Sequence, residues 1–187
     1  MIYFTRHGQT DWNVARKIQG TTDIPLNAQG RAQALSLQAQ IPPLNLSKII
    51  ASDLKRARET ADILNEKTSI PIVDDGRIRE FRLGSLEGQP VALLTGVVWR
   101  TLFENADFFD AESLLQVYAR VRSFLDSLDP TENILVVTHA GILKMVAYCK
   151  THPDKFDFEV FAKRYLNLWL KNATLYRWDE DWEQDIP

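Results

Sequence analysis

Apolar positions along the chain alternate between short continuous runs and longer stretches with helical spacing. Residues 2–5, Lys48–Ala51, residues 71–73 and Ile134–Thr138 are brief, largely apolar runs. That is the pattern of strands covered on both faces in a parallel sheet. Between them, Ala32, Leu35 and Ala39 predict one helical face, with Asn27 as its cap and Pro42-Pro43 as its end. Leu54, Ala57, Ala61 and Leu64 predict a second helix, capped by Ser52 or Asp53. Leu114, Val117, Val121, Phe124 and Leu128 mark the clearest helix, over residues 112–128, and residues 141–150 predict another. Residues 168–178, rich in aromatic and β-branched side chains, predict terminal strand structure, with a frayed acidic tail from Asp179.

Strands alternating with helices predict an α/β fold, a three-layer α/β/α arrangement around a mostly parallel central sheet. No internal repeat or low-complexity linker divides the chain, so residues 1–187 are expected to form a single domain. Residues 86–110 break the rhythm and carry Trp99, Phe103, Phe108 and Phe109. They predict a small helical cap insertion over a site.

Composition narrows the function classes. A chain of 187 residues that is 45% hydrophobic and 25% charged is an ordinary globular composition. A net charge of −3 argues against nucleic acid or an anionic membrane as partner. A few converging arginines can still make one pocket positive for a small anion. The lone Cys149 offers neither a disulfide nor zinc-finger spacing, and reads as a buried small side chain. No basic start leads into an apolar run, and no stretch approaches the ~18 apolar residues of a membrane span. A cytoplasmic location is therefore expected; oligomeric state is left open.

Two runs end on a histidine. Thr5-Arg6-His7-Gly8 and Thr138-His139-Ala140-Gly141 each place an imidazole just past an apolar strand, where ligands collect in open α/β sheets. Each histidine is followed by a glycine, which is expected to let backbone approach a ligand. If the two strands are neighbours, both imidazoles meet at one rim. A phosphoryl group in transfer spreads charge over three oxygens, so its catalysis is mostly positioning and electrostatics. Arg6 offers a planar fork for those oxygens, and Arg56 sits in the first turn of a helix whose N-terminus also favours an anion. His7 can attack phosphorus while a protonated His139 balances charge. Zinc would need a third ligand or a close histidine pair, and neither is present.

These residues resemble the histidine phosphatase superfamily, in its phosphoglycerate mutase-like branch. Residues 6–13, Arg-His-Gly-Gln-Thr-Asp-Trp-Asn, resemble its opening signature, and Gln19-Gly20 with residues 23–26 and Gly30 resemble its next block. Residues 52–61 resemble the helix that carries its phosphate arginine; Arg79-Glu80-Phe81 with Gly84 and Gly88 resemble its general-acid segment. Residues 137–141 resemble the second-histidine motif. The blocks occur in the family's order from residue 2 to about 145.

The resemblance implies that His7 is the phosphorylated nucleophile and that Arg6, Arg56 and His139 form the phosphate pocket. It implies Glu80 as general acid, holding a proton for the leaving alkoxide and then taking one from water. Gly8, Asn13, Gln19, Gly20 and Ala140 would border the substrate, a small-molecule phosphate ester, and neither metal nor other cofactor is needed. Arg58 competes with Arg56, and Asp74, Asp75 and Glu87 with Glu80. Residues 110–113 read Asp-Ala-Glu-Ser where relatives commonly carry Gly-Glu-Ser, and Trp99-Arg100-Thr101 stands where the mutases carry Trp-Arg-Arg. With a reduced cap and tail, hydrolysis is favoured over phosphoglycerate isomerisation, and both over a non-catalytic phospho-ligand-binding module. Arg82, Trp99, Arg100, Phe103 and Lys144 are the candidate selectors of the ester.

Overall fold

The computed structural model describes residues 1–182. Four parallel strands, β1 (Ile2–Arg6), β2 (Lys48–Ala51), β3 (Ile72–Asp74) and β4 (Ile134–Thr138), form the sheet, and β5 (Leu175–Arg177) adds an antiparallel edge. Their order is β3-β2-β4-β1-β5. Helices α1 (Asp11–Val14), α2 (Ala28–Gln38), α3 (Lys55–Asn65), α4 (Gly96–Glu104), α5 (Leu114–Asp126), α6 (Ala140–Thr151) and α7 (Phe158–Val160) complete it, α7 running into a π-helical turn, Phe161–Tyr165.

Strand β4 shows why its sequence is apolar throughout. Ile134 and Val136 pack with α5, α6 and the cap, while Leu135 and Val137 pack with α2 and α3. Alternate residues of one strand thus serve two cores, which is the three-layer arrangement. Helix α5 opens on a capping box between Ser113 and Gln116, and its stripe Leu114, Val117, Val121 and Phe124 is buried. The insertion is helical as expected: a 3-10 turn at Val91–Leu93, then α4, then a second turn at Ala106–Phe109.

Three local expectations are corrected. Helix α2 is capped by Asn27 but buries Gly30, Ala34, Leu37 and Gln38, leaving Leu35 half exposed. A glycine and a glutamine hide this stripe from an apolar-spacing search; Gln38 is tolerated because its Nε2 donates to the Ile63 carbonyl. Helix α3 has Leu54 as N-cap with no side-chain bond. Its first N–H, from Lys55, instead donates to Asp23 Oδ1 at 2.7 Å, so a distant carboxylate does the capping. The tail is not frayed at Asp179–Trp182. Trp182 is buried, its ring centroid 5.3 Å from that of Phe4, and its Nε1 donates to the Arg177 carbonyl. The remainder of the expected frayed tail lies outside the described residues. Among the described residues no helix is long and apolar enough to cross a membrane.

Candidate active site

Sheet register brings the two histidines together. Strands β1 and β4 are parallel neighbours with Arg6 opposite Thr138, so His7 and His139 leave the same edge side by side. The His7 N–H donates to the Thr138 carbonyl at 2.9 Å, and the ring centroids lie 5.2 Å apart. Strand β2 flanks β4 on the other side and delivers Ser52 to the same edge, its N–H donating to the Val137 carbonyl.

The hydrogen bonds assign the tautomer of His7. Its Nδ1 lies 2.7 Å from the Gly8 carbonyl oxygen, which can only accept, so Nδ1 carries the proton. Nε2 keeps its lone pair at the wall of a cavity of about 280 Å³ that His7 helps to line. His139 Nε2 is 2.8 Å from Ser52 Oγ, and its Nδ1 is buried without a hydrogen-bond partner among the described residues.

Burial holds both imidazoles well below the ordinary histidine pKa, and the positive charge of Arg56 pushes each lower still. Both rings are therefore neutral at neutral pH in the unliganded protein. For His7 this is the nucleophilic form. For His139, with two guanidiniums nearby, a further cation is unfavourable until an anion arrives to offset them.

The linkage has a definite sign. Below pH ~6.5 the unfolded chain protonates both histidines while the native protein does not, so stability present above that pH is lost as the pH falls. In phosphate-free buffer, urea unfolding should show a loss of about 2 kcal/mol between pH 6.5 and 5.5, from two groups together. A flat profile over that interval would show that the rings do not stay neutral.

Arg56 is fully buried in spite of its charge. Its Nη1 donates to the Thr22 carbonyl and Nη2 to the Gly20 carbonyl, and desolvation lowers its pKa to about 10, so it stays cationic at neutral pH. Arg6 Nη1 donates to the Leu170 carbonyl. The Nε atoms of both arginines are buried with no partner among the described residues. An unmade hydrogen bond at a buried polar atom costs about 1–3 kcal/mol, and more at a charged one. Two guanidiniums and one imidazole with spare buried nitrogens form a site that an oxyanion would complete.

Helix α1 supplies the polar border. Thr10 caps it, Asn13 Oδ1 accepts from the Thr10 N–H, and Gln19 Oε1 accepts from Thr10 Oγ1, so Asn13 and Gln19 are held at the cavity wall with Gly20. Glu87 fixes the same loop by accepting from the Thr21 and Thr22 N–H groups. Thr60 connects helix α3 to the histidine turn: its Oγ1 accepts from the Gly8 N–H and donates to the Arg56 carbonyl.

Glu80 lines the cavity between the arginines and α6, its Oε1 accepting from the Phe81 N–H and its Oε2 from the Gly141 N–H, both at 3.1 Å. A Cβ at Gly141 would sit 2.4 Å from Glu80 Oε1, so that glycine makes room for the carboxylate. Ala140 also lines the cavity. Gly8 does not: a Cβ there would lie 2.4 Å from the Gly30 carbonyl oxygen, so its need for glycine comes from packing against α2, not from ligand approach.

The structure separates several other expected residues from the cavity. Arg82 donates to the backbone and side chain of Asp110. Arg100 pairs with Glu104 and Glu159 and lies over the Phe158 ring. Long flexible side chains took the nearest carboxylates, and neither guanidinium lines the pocket. Arg58 is half-buried and paired with Asp62 and Asp74, which removes it as a rival to Arg56. Asp75 is bound to Arg77, and Glu87 to the threonine loop. Phe103 stacks on Phe158 away from the site, whereas Trp99 and Lys144 do line it. The helix N-terminus expected to hold an anion is taken by Asp23.

Sequence reasoning missed Ser52 as the partner of His139, having assigned it to a helix cap. It also missed the wall formed by Leu168, Trp169 and Leu170, for which the chain carries no signal beyond aromatic content.

Comparison with known proteins places the chain in a family. The model of the histidine phosphatase superfamily (branch 1) matches residues 2–166. A Bacillus subtilis (strain 168) protein called uncharacterized phosphatase PhoE is 32% identical over 183 residues, covering 97% of this chain and 90% of that one. The probable phosphoglycerate mutase GpmB of Escherichia coli (strain K12 / DH10B) is 35% identical over 187 residues, covering 95% of this chain and 84% of its own. The solved structure of a mycobacterial glucosyl-3-phosphoglycerate phosphatase in complex with VO3 superposes with a TM-score of 0.77 at 28% identity, covering 93% of this chain and 88% of that one.

Proposed function

Because the chain belongs to the histidine phosphatase superfamily, branch 1, we propose that it is a phosphomonoesterase acting on small-molecule phosphate esters through a phosphohistidine on His7. The observation that carries this reading is the neutral His7, its Nε2 lone pair at a cavity wall shared with Arg6 and Arg56, whose buried Nε atoms have no partner among the described residues. An oxyanion such as the VO3 held by the mycobacterial relative has the charge and acceptor geometry to satisfy those nitrogens.

In the first step His7 Nε2 attacks phosphorus in line as the ester P–O bond breaks. Glu80 gives its proton to the departing oxygen, and the alcohol leaves. The two guanidiniums offset charge on the equatorial oxygens, and the anion makes protonation of His139 favourable where it was not before. In the second step water attacks the phosphohistidine, Glu80 takes the water's proton, the N–P bond breaks, and inorganic phosphate departs. Proton and charge return to their starting places without a metal ion or other cofactor.

Isomerisation of phosphoglycerate is the second reading, favoured by the 35% identity to GpmB. It needs a cationic clamp for a second acid group, and Arg82 and Arg100 are engaged with Asp110, Glu104 and Glu159. That supports hydrolysis. The test is a panel of monophosphates assayed with and without a chelator, beside 2- and 3-phosphoglycerate. Phosphate release should be chelator-insensitive and exceed phosphoglycerate interconversion at least about tenfold, a free-energy difference of ~1.4 kcal/mol at the barrier. The reverse ratio would make the protein a mutase, and a folded protein with neither activity would make it a phospho-ligand-binding module.

A further inference from the structure

The segment that carries Glu80 has no strand ladder to hold it. Strand β3 ends at Asp74, 3-10 turns occupy Gly76–Ile78 and Gly84–Leu86, and residues 79–83 between them are irregular. Backbone of that kind keeps one shape only when its polar groups find partners elsewhere. The Ile78 carbonyl accepts from Oγ1 of Thr138, the residue before His139, and the Arg82 carbonyl accepts from the Glu112 N–H. Three further carbonyls are held by a single side chain.

That side chain is Arg120, on α5. Its Nη1 donates to the Arg77 and Arg79 carbonyls at 2.6 and 2.8 Å, and its Nη2 to the Glu80 carbonyl at 3.3 Å. Nε and Nη2 also grip the Glu112 carboxylate, at 2.6 and 2.8 Å. All five N–H donors of the guanidinium are thereby used, three on the backbone around Glu80 and two on one carboxylate. Both side chains of the pair are only 18% exposed. Apolar side chains of similar volume commonly replace a buried ion pair without loss of stability, so stability alone does not account for it. Holding three carbonyls in place is something an apolar pair cannot do.

The carboxylate end of Glu80 is fixed separately, by the Phe81 and Gly141 N–H groups. Glu80 lines the phosphate cavity, whereas Arg120 and Glu112 line a second cavity, of about 380 Å³, that Glu80 also borders. We propose that Arg120, locked by Glu112, is a positioning residue for the proton donor. It holds the Glu80 backbone so that the carboxyl meets the departing oxygen, and does not touch the ester. This rests on the reading of Glu80 as general acid. The capping box and buried stripe of α5 give the guanidinium a rigid base.

Arg120→Lys tests the assignment. Lysine keeps the charge and can still pair with Glu112, but its ammonium has three donors and no planar fork to span the carbonyls. Ethyl phosphate and 4-nitrophenyl phosphate are compared by kcat/KM, which reports on transfer to His7. The ethyl ester, whose alkoxide must be protonated, should lose about 10- to 10²-fold through kcat, and the nitrophenyl ester less than about threefold. Inorganic phosphate, followed by calorimetry, should bind the variant and the wild type equally. Glu112→Gln leaves the carbonyl bonds of Arg120 available and should show the same selectivity with a smaller loss. It carries the test if the lysine variant does not fold.

Unchanged turnover, or equal losses for the two esters, would mean that Arg120 does no more than support the fold. A loss carried by KM alone would mean that it touches the ester. Either result would overturn the positioning role and leave Glu80 as the acid. Glu80→Gln, assayed beside these variants, separates the two readings. If it shows no selectivity between the esters, Glu80 is not the acid and the role of Arg120 falls with it.

Discussion

Replacement of His7 by alanine should lower phosphate release by at least about 10⁴-fold and abolish formation of a covalent phosphoenzyme. Nε2 of His7 carries the lone pair, because its Nδ1–H donates to the Gly8 carbonyl, and the ring lines the cavity. Without it a water must attack an ester whose charge the arginines hold in place but do not activate. Acid quenching during turnover, followed by mass spectrometry under alkaline conditions, should find the phosphoryl group on the peptide containing His7 in the wild type alone. The loss should not add to that of His139→Ala, because the two rings, 5.2 Å apart, act on one phosphoryl group. The variant should still fold, since the backbone N–H of residue 7 keeps its bond to the Thr138 carbonyl and the side chain removed is one that lines the cavity. A folded His7→Ala protein with undiminished turnover, or a phosphoryl group found on another residue, would sink the mechanism.

What could be read in the chain before its structure was known follows a physical line. Strand β4 was legible because residues 134–137, buried against two different helical layers, have to be apolar one after another. The histidine pair was legible because both lie one residue beyond such a strand, and the β1–β4 pairing then does the rest. Arg56 could be separated from Arg58 only by resemblance. The structure adds the reason, which is that Arg56 lies on the covered face of α3 and bonds the Gly20 and Thr22 carbonyls, while Arg58 meets solvent, Asp62 and Asp74.

Misreadings concentrate where a side chain's partner lies far away in sequence. Ser52 looked like a cap because caps are local, but its hydroxyl goes to His139, 87 residues on. Arg82 and Arg100 looked like selectors, but Arg82 is bonded to Asp110 and Arg100 to Glu159. Gly8 looked like a ligand contact because it follows a strand-end histidine, where a glycine lets backbone approach a ligand; here the constraint is the Gly30 carbonyl. Spacing along a chain reports local geometry, and these contacts are set by how α2, the cap and the C-terminal segment dock.

Glu80→Gln should separate the two half-reactions. Glutamine keeps the size of the side chain, and its Oε1 can still accept from the Gly141 or Phe81 N–H, so the fold and the phosphate pocket should persist. It cannot give or take a proton. An alkyl ester, whose leaving alkoxide must be protonated as the P–O bond breaks, should lose about 10²–10⁴-fold in kcat/KM. 4-Nitrophenyl phosphate releases an anion stable at neutral pH, so its phosphorylation of His7 should be almost unaffected. Attack of water on the phosphohistidine still needs a base, however, and that step should slow by a comparable factor. The variant should therefore release one equivalent of nitrophenolate in a burst and then stall as phosphoenzyme, while the wild type shows no such burst. Equal losses for both esters with no burst would mean that Glu80 positions the substrate or the Gly141 turn without moving a proton, and the acid would have to be sought elsewhere on the cavity wall.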